Sequence, residues 1–306
     1  MVRLATIAFN TKAFHRVVLR KLEKTIIYII YRKKYLNRNS LRTNMSNPKI
    51  INIKELDPDI IPPISSRMND PNYNGGSKIV VVGKPGTGKS SLIKALLYAK
   101  KHIFPVGMAM SGSEDSNHAY SEIMPSTFVF NEYDEEKIKE FIKRQKLASQ
   151  HLPNPWAVII LDDCTDDPRI FNKPLQQAMF KKGRHWKMMY ILSLQYAMDV
   201  KPSIRTNVDG IFILREPLLK NRESLYKNYA SIIPDFTTFC DLMDQLTDDY
   251  CSLYIHSSTQ TNDWRDCVFW WKAPLVSKDW KFGCPEYREF HESRFNQSYT
   301  DNLTGY

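Results

Sequence analysis

The segment Gly83-Lys-Pro-Gly-Thr-Gly-Lys-Ser90 sets glycines, a lysine and a hydroxyl at the spacing GxxxxGK[ST]. That combination suits phosphate. Glycines let backbone N–H groups turn inward around phosphate oxygens, where a side chain would clash. Lys89 can then reach the β- and γ-phosphates of a nucleotide, and the Ser90 hydroxyl can ligate Mg²⁺. The expected nucleotide cradle is Gly83, Lys84, Pro85, Gly86, Thr87, Gly88, Lys89, Ser90 and Ser91. A helix opening at its end would add a partial positive charge.

Two acids and an amide could complete a hydrolytic site. Asp162 and Asp163 follow the apolar run 157–161 directly. An acid at the carboxyl end of a buried strand beside a phosphate loop holds Mg²⁺, usually through water, so Asp162 joins Ser90 as an expected metal residue. Asp163 stands where a general base would orient and deprotonate the attacking water. An ordinary acidic turn would use the same two residues without chemistry. Gln195 ends the apolar run 189–194, where an amide can donate to a γ-phosphate and accept from water, or simply terminate a strand. Arginine is suited to charge spreading over a transferring phosphoryl group. Arg184 and Arg205 are the expected catalytic arginines and Arg215 a further possibility, each equally able to serve structure alone. Arg184 precedes its strand, which puts it roughly 20 Å from its own phosphates at ~3.3 Å per residue. It could reach a phosphate only on a neighbouring subunit.

Positioning these groups takes strands separated by helices. Short β-branched or apolar runs at 79–82, 106–110, 157–161, 188–194 and 210–214 predict buried parallel strands, with later strands at 251–256 and 267–271. Helices are expected over 89–101, 134–150, with Asp134 as N-cap, and 173–182. The alternation implies an α/β fold, a mostly parallel sheet with helices on both faces. The domain proper spans 78–272, preceded by a basic extension (1–44) and a polar lead-in (45–77). A polar tail (273–306) is expected to be loosely attached.

The net charge of +10 misleads unless it is located. Residues 1–44 hold eleven basic residues and one acid, Glu23, so that segment alone accounts for it, and the remainder is neutral. A nucleic-acid claim for the main domain therefore cannot rest on bulk charge. The leader fits a nucleic-acid or membrane-surface arm, an organelle presequence, or an extension upstream of a start at Met45. The neutral chain from Met45 favours the last. Five scattered cysteines lack metal-ligand spacing and fit free thiols. The apolar stretch 25–31 is far short of the ~20 residues of a membrane helix. His185, Trp186, Trp264, Trp270, Trp271 and Trp280 read as packing residues.

Taken together, the phosphate loop, an extra strand before the Walker B strand and a glutamine ending the next strand resemble the FtsK–HerA group of P-loop motor ATPases. The stretches VVVGKPGTGKSSLIKALLY, VIILDDC, KKGRHWKMMYILSLQ and IRTNVDGIFILRE are similar to the genome-packaging ATPases of large nucleocytoplasmic DNA viruses, over about residues 77–272. The resemblance implies a P-loop NTPase of the additional-strand type, using ATP and Mg²⁺, that forms a homo-oligomeric ring. Such a ring pumps double-stranded DNA into a preformed capsid, with capsid components as partners. Its place would be the host cytoplasm at the viral factory and the virion, or an organelle if 1–44 is a presequence. Aspartate at 163 departs from the glutamate of many relatives and bears on hydrolysis rate, not nucleotide binding. Two rivals share the loop: a nucleoside or nucleotide kinase, for which no Arg-rich lid is visible, and a nucleotide-dependent assembly scaffold that scarcely turns over.

Overall fold

The computed structural model describes residues 51–295 apart from 71, 165–166, 197–199 and 201, so the basic leader lies outside the described residues. Among the described residues nine strands form one sheet: β1 (Lys54–Glu55), β2 (Lys78–Val82), β3 (Val106–Ser111), β4 (Val129–Phe130), β5 (Ala157–Asp162), β6 (Met188–Leu194), β7 (Gly210–Ile213), β8 (Cys251–His256) and β9 (Val268–Lys272). The helices described are α1 (Lys89–Ala99), α2 (Glu114–Asn117), α3 (Glu135–His151), α4 (Pro174–Lys182), α5 (Pro202–Arg205), α6 (Leu219–Tyr229), α7 (Phe236–Leu246) and α8 (Pro285–Glu292). The strand order is β1-β9-β8-β7-β2-β6-β5-β3-β4. Pairing is parallel except at β8, which runs antiparallel to β7 and β9.

The sheet centre explains why these segments are strands. Every residue of β2, β5 and β6 is buried, as a parallel strand covered on both faces requires. Successive side chains point to opposite faces. Ile79, Val81, Val158, Ile160, Met189 and Ile191 accordingly share a core cluster with Leu92, Ile93 and Leu96 of α1. On the other face, Tyr190 of β6 meets Phe180 of α4 with ring centroids 5.1 Å apart. Helices thus cover both faces. Asp134 caps α3, its carboxylate accepting from the N–H groups of Glu136 and Lys137. Those amides would otherwise be orphaned at the first turn.

One strand insertion sets up the site. β6 lies between β2 and β5, with Ser193 opposite both Val81 and Asp162. The carboxyl ends of the three strands are therefore level, and Gly83, Asp162 and Gln195 emerge at one edge of the sheet. This is the additional-strand arrangement expected from the sequence.

The two flanks of the domain are fastened to it. In the lead-in, Lys54 and Glu55 pair with β9, Tyr73 packs on Trp156 at 5.6 Å, and the Lys100 ammonium donates to Pro63 O at 3.0 Å. Over residues 273–295 the expectation of loose attachment is overturned; 296–306 lie outside the described residues. Phe282 and Tyr287 are buried, Phe282 N donates to Ile123 O at 2.8 Å, and the Tyr287 hydroxyl donates to Gly107 O at 2.7 Å. Two aromatic side chains among polar neighbours supply the apolar area that holds the segment down. Trp271 lies in the core against Phe212, and Trp280 meets Tyr98 edge-on.

Candidate active site

The phosphate loop joins β2 to α1 and is braced by neighbouring strands. Gly83 N donates to Leu194 O of β6 at 3.1 Å, and Thr87 N and Oγ1 both donate to Lys84 O. Gly86 (φ 75°) and Gly88 (φ 97°) take left-handed backbone, and Gly88 is the residue from which α1 starts. Side chains with a Cβ resist that conformation, which is why glycine stands at both positions. Lys89 is buried, and its ammonium donates to Gly83 O at 2.9 Å and pairs with Asp163 Oδ2 at 2.9 Å. Two of its three protons are thereby directed and the third can meet a phosphate oxygen. Lys84 is pinned from the side by Glu216 at 2.9 Å. Pro85, Gly86 and Ser91 are exposed.

Asp162 and Asp163 differ in environment although adjacent. Asp162 is buried, and its Oδ2 accepts from the Ser90 hydroxyl at 2.8 Å and from the Tyr120 hydroxyl at 2.8 Å. Asp163 sits at φ 48°, a left-handed conformation unusual for a residue other than glycine. Burial pushes its carboxyl pKa above the ordinary 3.8 and the neighbouring Asp162 charge adds to that, while Lys89 and the Gln195 amide pull against it. Burial also drives the Tyr120 hydroxyl well up, with Asp162 adding to the effect, so Tyr120 stays a proton donor. The next residue, Cys164, has its thiol pushed up to about 12 by burial and by Asp162, and brings no negative charge to the site.

The oxygens at this edge suit a hard cation and a water. Asp162 Oδ1, Asp163 Oδ1 and Ser193 Oγ are buried without a hydrogen-bond partner. Such acceptors are costly unless something satisfies them. With Ser90 Oγ beside Asp162 the donor set is all oxygen, as Mg²⁺ prefers. The residues present fit the metal.

Lys89, Ser90, Asp162, Asp163 and Gln195 come together as the sequence suggests, and the arginines lie differently. Arg184 follows α4 in a 3-10 turn (Gly183–Trp186), and its Nη2 is 2.8 Å from Asp209 Oδ1. Asp209 also pairs with Lys78 Nζ at 2.6 Å. Since Lys78 opens β2, this cluster marks the amino end of the sheet, opposite the phosphate loop. Arg205 donates to Val200 O at 2.9 Å and lies 5.9 Å from the Tyr229 ring centroid. Arg215 is exposed just past β7. Tyr120 and Glu216 were not singled out from the sequence. Tyr120 carries no spacing signal at all. Glu216 does, being an acid just beyond a buried strand, the same signal that marks Asp162.

No family model matches the chain. Its fold is similar to that of the pCW3 conjugation coupling protein TcpA, at TM-score 0.51 and 11% identity over 79% of this chain and 75% of that one. The likeness bears out the fold expected from the FtsK–HerA resemblance. The genome packaging NTPase B204 of Sulfolobus turreted icosahedral virus 2 is also similar, at TM-score 0.48 and 18% identity over 65% of this chain and 98% of that one. In sequence, the chain is 53% identical over 261 residues to the uncharacterized protein 075L of Invertebrate iridescent virus 6, covering 84% of this chain and 100% of that one. By that identity across the relative's whole length, the chain belongs to the viral protein family that includes 075L.

Proposed function

We propose that the chain is a motor ATPase that couples hydrolysis of Mg²⁺·ATP to movement of double-stranded DNA and packages a viral genome into capsids. The observation that carries the hydrolytic part is the meeting of Lys89, Ser90, Asp162 and Asp163, with the unsatisfied oxygens of both acids, at the edge where β6 parts β2 from β5. The motif blocks shared with packaging ATPases support the DNA part.

The roles follow from the geometry. The backbone amides of 83–90 and the third Lys89 proton hold the β- and γ-phosphates. Ser90 and Asp162 hold Mg²⁺, directly or through water, and Tyr120 keeps Asp162 aimed. When bound, Mg²⁺ would supply positive charge against the β- and γ-phosphates. Asp163 accepts the proton of the water whose oxygen attacks the γ-phosphorus, and ADP departs with the electrons of the broken P–O bond. Its raised pKa brings it nearer to neutral, where a base both exists deprotonated and accepts a proton readily. Gln195, beside Asp163, orients that water and reads the γ-phosphate. An arginine, Arg184 or alternatively Arg205, acts from a neighbouring subunit in a ring at the viral factory, against capsid components.

ATP turnover by the full chain, with and without long double-stranded DNA, tests the reading. DNA should accelerate turnover, and Lys89→Ala should abolish it. Turnover that needs a small phosphate acceptor would make the chain a kinase. Slow turnover indifferent to DNA would make it a scaffold. Either contradicts the proposal.

A further inference from the structure

Tyr250 is an aromatic side chain set against the phosphate loop that the hydrolytic site does not use. It is 67% exposed. The backbone reaches it through two successive left-handed residues, Asp249 (φ 55°) and Tyr250 (φ 59°), a conformation bulky residues rarely adopt. The turn is fixed from outside, with Cys251 N donating to Asp248 O at 3.1 Å and Lys272 Nζ donating to Asp249 Oδ2 at 2.9 Å. The edge of the ring meets the loop. A Cβ on Gly88 would stand 3.1 Å from Tyr250 Cδ1, while the backbone there is already left-handed. Gly88 thus admits both the loop and the ring.

Sheet topology says what lies beside this ring. β7 and β8 are antiparallel with Ile213 opposite Leu253. Glu216, the carboxylate that grips Lys84, lies three residues past Ile213, and Tyr250 lies three residues before Leu253. Tyr250 and Glu216 therefore flank the loop on the β7–β8 side, whereas Asp162, Asp163 and Gln195 flank it on the β6–β5 side. A nucleoside triphosphate carries its reacting phosphate at one end and its base at the other. With the γ-phosphate at Asp163 and the chain of phosphates over the 83–90 amides, the nucleoside leaves toward β7 and β8.

We propose that Tyr250 forms a nucleobase subsite, stacking on the base of the bound triphosphate. The inference rests on the nucleotide reading above. Stacking uses the π-face that every base possesses, and so reads no hydrogen-bonding edge. The subsite takes nucleoside triphosphates whatever their base, ATP and GTP alike.

Calorimetric titration of the full chain with Mg²⁺ and ATP, GTP or inorganic tripolyphosphate tests this. Tyr250→Ala should weaken ATP and GTP about tenfold and leave tripolyphosphate unchanged, while Tyr250→Phe should match the parent. Parental ATP affinity in Tyr250→Ala overturns the subsite. Equal weakening of tripolyphosphate also overturns it, since the ring would then only brace the loop. A parent that binds none of the three ligands overturns the nucleotide reading as well, which separates the two failures.

Discussion

At the residue scale, Asp163 is held under tension. Its backbone is left-handed, its carboxylate is mostly buried at 22% side-chain exposure, and Lys89 and the Gln195 amide face it. A carboxyl whose folded pKa lies above the unfolded value stabilises the fold only while protonated. That contribution is complete below the ordinary 3.8 and is lost as pH rises through the folded value. Asp163→Asn removes the charge and suits the left-handed backbone, which asparagine tolerates well. The variant should melt above the parent at neutral pH, by a margin that vanishes in acid. Because an amide cannot accept the proton, turnover should fall by about 10²–10⁴ while ATP still binds. Thermal melts across pH with single-turnover kinetics check both. Parental turnover in Asp163→Asn would remove Asp163 from the role of base.

At the element scale, Lys100 ends α1 and ties it to the lead-in through Pro63 O. Burial pushes its ammonium down from 10.5 to about 8. Below pH 8 the group is protonated folded and unfolded, and the cost of burying it is borne in full. Between about pH 8 and 10.5 the folded chain sheds its proton first, so stability rises with pH. Lys100→Met keeps the bulk without the charge and should stabilise the domain at pH 7 by about 2–3 kcal/mol, with the alkaline rise abolished. Urea unfolding at pH 7 and 10 measures both effects.

The elements that build this site were legible because their signals are local. Runs of β-branched residues marked β2 and β5, an acid cap marked α3, and a fixed spacing marked the phosphate loop. What stayed hidden depends on partners far away in sequence. β1 exists only because β9 offers a free edge. α7 lacks the first-turn acids that advertise α3, although Asp235 caps it by accepting from Thr238 N. Tyr120 matters because its hydroxyl meets a carboxylate forty-two residues on, which no spacing rule anticipates. The polar composition beyond Lys272 concealed Phe282 and Tyr287, whose burial is decided by partners distant in sequence: the Phe282 ring fills the room a side chain at Gly107 would need, and the Tyr287 hydroxyl meets Gly107 O.

At the scale of the whole molecule, the phosphate loop and Arg184 lie at opposite ends of the sheet, so an arginine acting on a phosphate held there must come from a neighbouring subunit. A head-to-tail ring supplies one. Arg184 is 47% exposed on its side chain, and Asp209 keeps Lys78 as a partner if Arg184 is removed. Arg184→Ala should therefore fold, bind ATP and turn over slowly. Mixing Arg184→Ala with Asp163→Asn subunits should restore part of the activity, because an intact site on the first is completed by an arginine of the second. No recovery in rings shown to be mixed would leave Arg184 a structural residue or one serving its own site.

On the proposed function, hydrolysis at this site moves the protein along double-stranded DNA. Displacement of a fluorescent third strand from a long duplex measures that movement most directly. The full chain with Mg²⁺ and ATP should displace the third strand, at a delay that grows with the length of duplex to be crossed. Lys89→Ala and Asp163→Asn should displace nothing. DNA-stimulated hydrolysis by the parent without any displacement of the third strand would contradict that function.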